Sequence, residues 1–255
     1  MIAGALANPE LWLLHLMFAS LRVGAALALL PGIGAMLLPL QARIGLSAAV
    51  GMLVMSTTQL SVPPDMLAAA GLLAVAGEIA VGAAAGIILQ LVFASAAVAG
   101  EMLSQAMGLG FATMLDPGGM TSPVVTSFLG LLMWLVFLGL DGHLELIALI
   151  VDSYRRIPPG SNPLTFAGDI AVFGGSALSA GLMLALPVAA VLMLVNLLLA
   201  VVSRSAPQLN IFSIGFPALM VTGLIALPVA LPAMVTTMAR TVTEAFAHLH
   251  GWFGG

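Results

Sequence analysis

The sequence predicts an all-α, polytopic membrane-associated protein, and three observations carry that reading. Hydrophobic residues make up 62% of the 255-residue chain and charged residues only 6%, against about 25% charged in an ordinary soluble domain. The apolar residues fall in long runs, each able as a helix to cross a hydrocarbon core of about 30 Å. The runs are separated by clusters of Pro, Gly, Asp and Asn, whose turn chemistry ends helices.

The first run, Leu11 to Leu38, opens on Asn8-Pro9-Glu10. That tripeptide reads as a helix start, with Asn as N-cap, Pro at the first helical position and an acid in the first turn. Ala26-Leu27-Ala28 imitates a signal-peptide cleavage site. The leader carries no positive charge, however, and Arg22 interrupts its apolar stretch, so the segment is expected to be retained. Ile44 to Leu60 follows, ended by the turn Pro63-Pro64-Asp65. Met66 to Val98 would measure roughly 50 Å as a helix and Phe166 to Val202 slightly more, an excess that tilt absorbs only in part. Either each is two elements, or each is a helix that leaves the lipid and is buried against other protein. Val124 to Leu140 precedes a polar corner, Asp141-Gly142-His143, and a shorter helix from Leu144 to Ser153. The last run is Ile211 to Met238. Beyond it, Val235, Met238, Val242, Phe246 and Leu249 follow helical spacing, with Arg240, Glu244 and His248 on another face. That pattern is an amphipathic tail.

Charge narrows the function classes. There is no lysine, and the net charge is −4 from few groups, so the electrostatic footprint of a nucleic-acid-binding protein is missing. With six crossings, Arg43 and Arg204 fall on one side and Arg155, Arg156 and Arg240 on the other, which gives no consistent orientation. Overlong runs and unreadable topology together point to packing against protein more than against lipid. Zero cysteines exclude disulfides and thiolate metal sites. The four histidines lack zinc-protease spacing, and Gly174-Gly175-Ser176-Ala177 is only a partial match to a serine-protease turn. The sequence reads as no enzyme, with no cofactor.

The isolated polar residues are the remaining candidates. Arg22 and Glu78 stand inside apolar runs, where each is costly unless paired or wetted. One acid and one arginine make a poor proton relay, so a structural pair or contacts to partner subunits is the favoured reading. Asn196 and Gln90 are expected to bond to neighbouring helices, and Gly82-Ala83-Ala84-Ala85-Gly86 offers a small-residue face for close approach. A polar island, Ser203 to Asn210, containing Arg204, Pro207, Gln208 and Asn210, separates the last two runs. In the stretch from Glu101 to Ser122, glycines loosen a chain that carries Phe111, Met114 and Leu115. Such a segment could form a compliant seal. An ordinary loop packing its own side chains explains it at least as well from the residues alone.

Five tracts, in order, resemble the FliR family of flagellar biosynthesis proteins, the R-type subunits of the type III export gate. They are Met107 to Pro117 (MGLGFATMLDP), Phe137 to His143 (FLGLDGH), Val151-Asp-Ser-Tyr with Ile157 to Pro163, Gly181 to Pro187 (GLMLALP) and Ala206 to Pro217 (APQLNIFSIGFP). The chain departs from the family pattern in its basic Arg155-Arg156 pair and its short loop at 116–122. The resemblance implies a fold of long kinked helical hairpins within a helical hetero-oligomer. Residues 1–162 would be a half like the P-type subunit, with a plug loop at 106–122. Residues 163–255 would be a hairpin like the Q-type subunit, bent at 203–210. It implies one copy of this chain with several P-type and Q-type subunits and a B-type switch protein at the base. The assembly would sit in the bacterial inner membrane at the flagellar basal body, with much of the fold standing on the periplasmic side. Unfolded flagellar subunits would be the cargo. Phe111, Met114 and Leu115 would then form the pore plug, with Gly108, Gly110, Pro117, Gly118 and Gly119 as its hinge. The T-type subunit of a virulence injectisome is the homologous alternative, although the tracts at 141–143 and 208–212 look flagellar. A secondary transporter would need inverted repeats and paired broken helices, and the sequence has neither.

Overall fold

A computed structural model describes residues 8–31, 39–58, 60, 62–63, 66, 68–109, 124–159, 166–205 and 211–253, with the backbone alone at 211–213. Among the described residues seven helices follow one another: α1 Pro9–Leu29, α2 Leu40–Thr57, α3 Ala69–Ala106, α4 Val124–Gly139, α5 Gly142–Arg156, α6 Ala167–Ser205 and α7 Ile211–Phe253. The described residues contain no strand. Among the described residues five helices (α1, α2, α3, α6 and α7) are long and apolar enough to cross a membrane, and α4 with α5 would make a sixth span.

The overlong runs are single continuous helices of 38 residues in α3 and 39 in α6. The third long helix, α7, has 43 residues and absorbs the amphipathic tail, which the sequence reading set apart at Met238. One buried stripe explains the continuity: Leu219, Leu227, Met234, Met238, Val242, Phe246, Leu249 and Phe253 recur at helical spacing along its length. Pro217, Pro228 and Pro232 lie inside it. Each lacks an N–H and so leaves one carbonyl without its helical donor, a loss that neighbouring helices and local adjustment can absorb in an apolar bundle.

Local chemistry sets the helix ends. The first helix stops earlier than its apolar run, because Leu30 precedes Pro31 and is extended at φ −69°, ψ 122°; proline disfavours helical backbone in the residue before it. Asn8 occupies the N-cap with Pro9 next to it, but its side chain makes no capping bond. At the corner between α4 and α5, Asp141 takes the left-handed conformation at φ 55°, which Asp tolerates better than most residues.

The helices pack as two units. The first is Met1–Leu91, Asp141–Gly174 and Thr243–Gly255; the second is Val92–Leu140 and Gly175–Val242. Each is assembled from separated stretches, so compactness and a division of the chain at residue 162 are different descriptions. In the first unit α1 packs on α2, and both touch α5. Its C-terminal turns are held by the Phe166–Trp252–Phe253 ring cluster. The Trp252 indole N–H donates to the Asp169 carboxylate at 2.8 Å, and His250 meets Glu145 at 2.9 Å. In the second unit the end of α3 and α4 lie antiparallel. Phe93 meets Trp134 and Phe137 at centroid distances of 4.8 and 5.8 Å.

Candidate functional site: a buried arginine centre and the end of helix α3

Arg22 and Glu78 come from helices whose backbones nearly touch. Gly82 of α3 lies directly against the Arg22 carbonyl, and Gly86, one turn further on, lies against Ala26. This approach brings the α1 arginine within reach of the α3 carboxylate. Arg22 Nε donates to Glu78 Oε2 at 2.9 Å and Nη2 to Oε1 at 2.8 Å. Two further donors reach α5 and its C-cap: Nη1 donates to Ser153 Oγ at 2.7 Å and Nη2 to the Ile157 carbonyl at 3.0 Å. The Tyr154 ring lies 4.0 Å from the guanidinium carbon, close enough for cation–π attraction. Its hydroxyl donates to the Ala19 carbonyl at 2.9 Å.

Arg22 and Glu78 are each 1% exposed. A forked, two-bond pairing is the strongest form of this interaction, and full use of the surrounding donors is what makes burial of two charges tolerable. The centre is closed, with both carboxylate oxygens bonded and hydroxyls, a carbonyl and a ring around the guanidinium. It ties three helices together. The sequence reading missed Ser153 and Tyr154 as partners of Arg22, since they lie about 130 residues away. One signal was available: Tyr154 is the sole tyrosine of the chain.

At the end of α3, Gly108 closes the helix with φ 76°. The Leu109 N–H donates to the Ser104 carbonyl at 2.9 Å and the Gly108 N–H to the Gln105 carbonyl at 3.0 Å. Those two bonds are the Schellman pattern, which requires a left-handed residue and so favours glycine. One turn before, Gln105 Nε2 donates to Glu101 Oε1 at 2.9 Å. Gly110, Phe111, Met114, Leu115, Pro117, Gly118 and Gly119 lie outside the described residues.

The polar island is only partly described. Arg204 is exposed on the last turn of α6, and its side chain makes no hydrogen bond among the described residues; Pro207, Gln208 and Asn210 lie outside them. Asn196 was expected to bond to a neighbouring helix. It is exposed instead, with no side-chain hydrogen bond among the described residues, and the same holds for Gln90. The reason is positional: the fully buried stripe of α6 ends at Leu192. Asn196 lines a groove of ≈ 330 Å³ with Leu199, Ala200, Ser203, Gly215, Phe216 and Leu219. Among the described residues, no group of three or more His, Asp or Glu side chains could hold a metal ion.

Large apolar side chains cover the outside, with Met193 at 74% and Val229 at 79% exposure. Long apolar helices, exposed apolar side chains and the enclosed Arg22–Glu78 pair define a polytopic helical membrane protein. The family described as "Bacterial export proteins, family 1" matches residues 13–245. This chain belongs to that family. It is 34% identical over 238 residues to the flagellar biosynthetic protein FliR of Pectobacterium carotovorum subsp. carotovorum, covering 92% of this chain and 91% of the relative. It is 33% identical to FliR of Escherichia coli (strain K12), again covering 92% of this chain and 91% of the relative. Against FliR of Aquifex aeolicus (strain VF5) the figures are 31% identity, 94% of this chain and 93% of the relative.

Proposed function

We propose that this chain is a non-enzymatic core subunit of the flagellar type III protein export gate. It would form part of the channel through which unfolded flagellar subunits are secreted. The observation that carries this reading is the family match over residues 13–245, nearly the whole chain. The relatives' names, flagellar biosynthetic protein, favour the flagellar assembly over the injectisome. The closed Arg22–Glu78 centre argues against a transporter, because a proton or ion pathway needs a continuing chain of polar groups.

In this reading the gate joins one copy of the chain to P-type and Q-type subunits, with a B-type switch protein at its base, in the inner membrane of the flagellar basal body. Residues 1–162 are the P-like half and 163–255 the Q-like hairpin. Three helices of 38 to 43 residues exceed a bilayer core of about 30 Å, which supports a fold standing largely clear of the membrane on the periplasmic side. Phe111, Met114 and Leu115 are the channel plug. Gly108, Gly110, Pro117, Gly118 and Gly119 are its hinge, with Gly108 at the capped end of α3. Arg204, Pro207, Gln208 and Asn210 shape the hairpin bend, and Asn196 faces a partner subunit.

A strain lacking this chain, complemented with wild type or with Met114→Ala/Leu115→Ala, tests both levels. Wild type restores swimming without altering solute uptake in either strain. The double variant assembles and exports, but its membrane conducts small ions. A transport defect with intact flagella would reject the gate, and normal conductance at normal complex yield would reject the plug.

A further inference from the structure

Where α7 ends beside the start of α6, a shallow cavity of ≈ 380 Å³ is lined by Asp169, Ala247, His248, Gly251 and Trp252. All five belong to the first packing unit. The four α7 residues share one face, because positions i, i+1, i+4 and i+5 of a helix lie side by side. Asp169 comes from the first turn of α6, where the helix dipole favours a carboxylate. The Trp252 indole N–H donates to Asp169 Oδ2 at 2.8 Å, which holds the carboxylate against the ring. Phe166 packs on that indole at a centroid distance of 4.7 Å, and Phe173 meets the His248 ring in a T-shaped contact at 5.2 Å. Three polar side chains are thus braced around one opening.

Their chemistry calls for a cation. A carboxylate can accept up to about four hydrogen bonds. The Asp169 carboxylate accepts one, from Trp252, and has no ion-pair partner among the described residues. Nearby Glu145, by contrast, is matched by His250 at 2.9 Å. All six arginines of the chain lie among the described residues and none lines the cavity. There is no lysine, so a cationic side chain must come from another molecule. The ring decides which cation. A carboxylate beside an aromatic ring is the set with which this chain already holds a guanidinium: Glu78 bonds Arg22 at 2.8 and 2.9 Å, and the Tyr154 ring lies 4.0 Å from Cζ. Asp169 and Trp252 repeat that set, and the His248 imidazole, when neutral, adds an acceptor nitrogen. A planar guanidinium stacks on a ring while forking to a carboxylate; a compact ammonium offers neither plane nor fork. A shallow opening suits the tip of a side chain presented by a neighbouring surface, since free ligands are held in sites that enclose most of them. We propose that Asp169, His248 and Trp252 form a receptor for an arginine of a partner subunit. The inference rests on the gate reading for the existence of that partner.

The test uses the full chain co-expressed with P-type and Q-type subunits and purified in mild detergent. Asp169→Asn keeps an oxygen for the Trp252 N–H and removes the charge. It should leave the yield of the chain unchanged and speed dissociation of one partner subunit about tenfold. The difference should shrink in high salt, which screens exposed charges. Dissociation at the wild-type rate in low salt overturns the proposal. Asp169→Arg should expel that subunit, and changing the subunit's arginines and lysines to Glu, one at a time, should restore it at a single arginine. Rescue at a lysine, or at no position, overturns the arginine receptor. If partners are retained but indifferent to Asp169, the receptor alone fails. If the chain purifies without any partner, the gate reading fails and the receptor with it.

Discussion

Arg22 shows what one residue does in an apolar chain. Its four hydrogen bonds to Glu78, Ser153 and Ile157 leave little for water or a passing ion, so the charge serves geometry. Removing one partner of a buried pair strands the other, at about 3–5 kcal/mol, whereas replacing both with apolar groups of similar size is often neutral or stabilising. Glu78→Leu should therefore lower the melting temperature and yield of the purified gate sharply. Arg22→Met/Glu78→Leu should recover most of the loss. If Glu78→Leu alone melts like wild type, the pair is not what holds α1, α3 and α5. That Arg22 and Glu78 needed partners was legible from their positions in apolar runs. That they were each other's partner was not, because 56 residues separate them and nothing local measures the distance between two helices.

At the scale of elements, the contact between α1 and α3 depends on glycine. A Cβ at Gly82 would stand 2.8 Å from the Arg22 carbonyl carbon and 3.0 Å from Ala25 Cβ, and the obstacle is backbone, which cannot rotate away. Gly82→Val should separate the helices, pull Arg22 from Glu78, and destabilise the assembly by about 3 kcal/mol or more, combining overpacking with a stretched ion pair. Gly130→Ala serves as a control, since a Cβ there meets nothing within 4 Å. In a half-buried helix interior with open space beside it, the change should be neutral or slightly stabilising, by about 0.5–1 kcal/mol. Thermal aggregation of the complex compares the two, and equal melting would remove close packing as the explanation. The small-residue face at Gly82 to Gly86 was readable in the sequence. The continuity of α3, α6 and α7 was not, because a run longer than a bilayer looks the same whether it is one helix or two.

For the whole molecule, the governing fact is the exposed apolar surface. Leu73, Val172, Met193 and Val229 are each at least 70% exposed, and large apolar side chains left open on helices this apolar mark lipid or protein contact. The chain by itself should aggregate or be proteolysed, and co-expression with a P-type subunit should rescue it as a complex in mild detergent. A stable, monodisperse monomer in detergent would count against the gate reading. Arg22 and Glu78 give no support to that expectation, since the fold buries both within the chain.

Composition and hydropathy were enough to determine the fold class, the membrane setting and most helix positions, because those depend on local transfer free energies and turn chemistry. Ordered motifs carried the family. Tertiary structure alone decided that Ser153 and Tyr154 complete the Arg22 centre, that Asn196 stands exposed beyond the buried stripe of α6, and that Asp169 shares a cavity with His248 and Trp252. Each of these depends on contacts between residues far apart in the chain. Helical periodicity says which side chains share a face, but only the packed structure sets which faces meet and how closely.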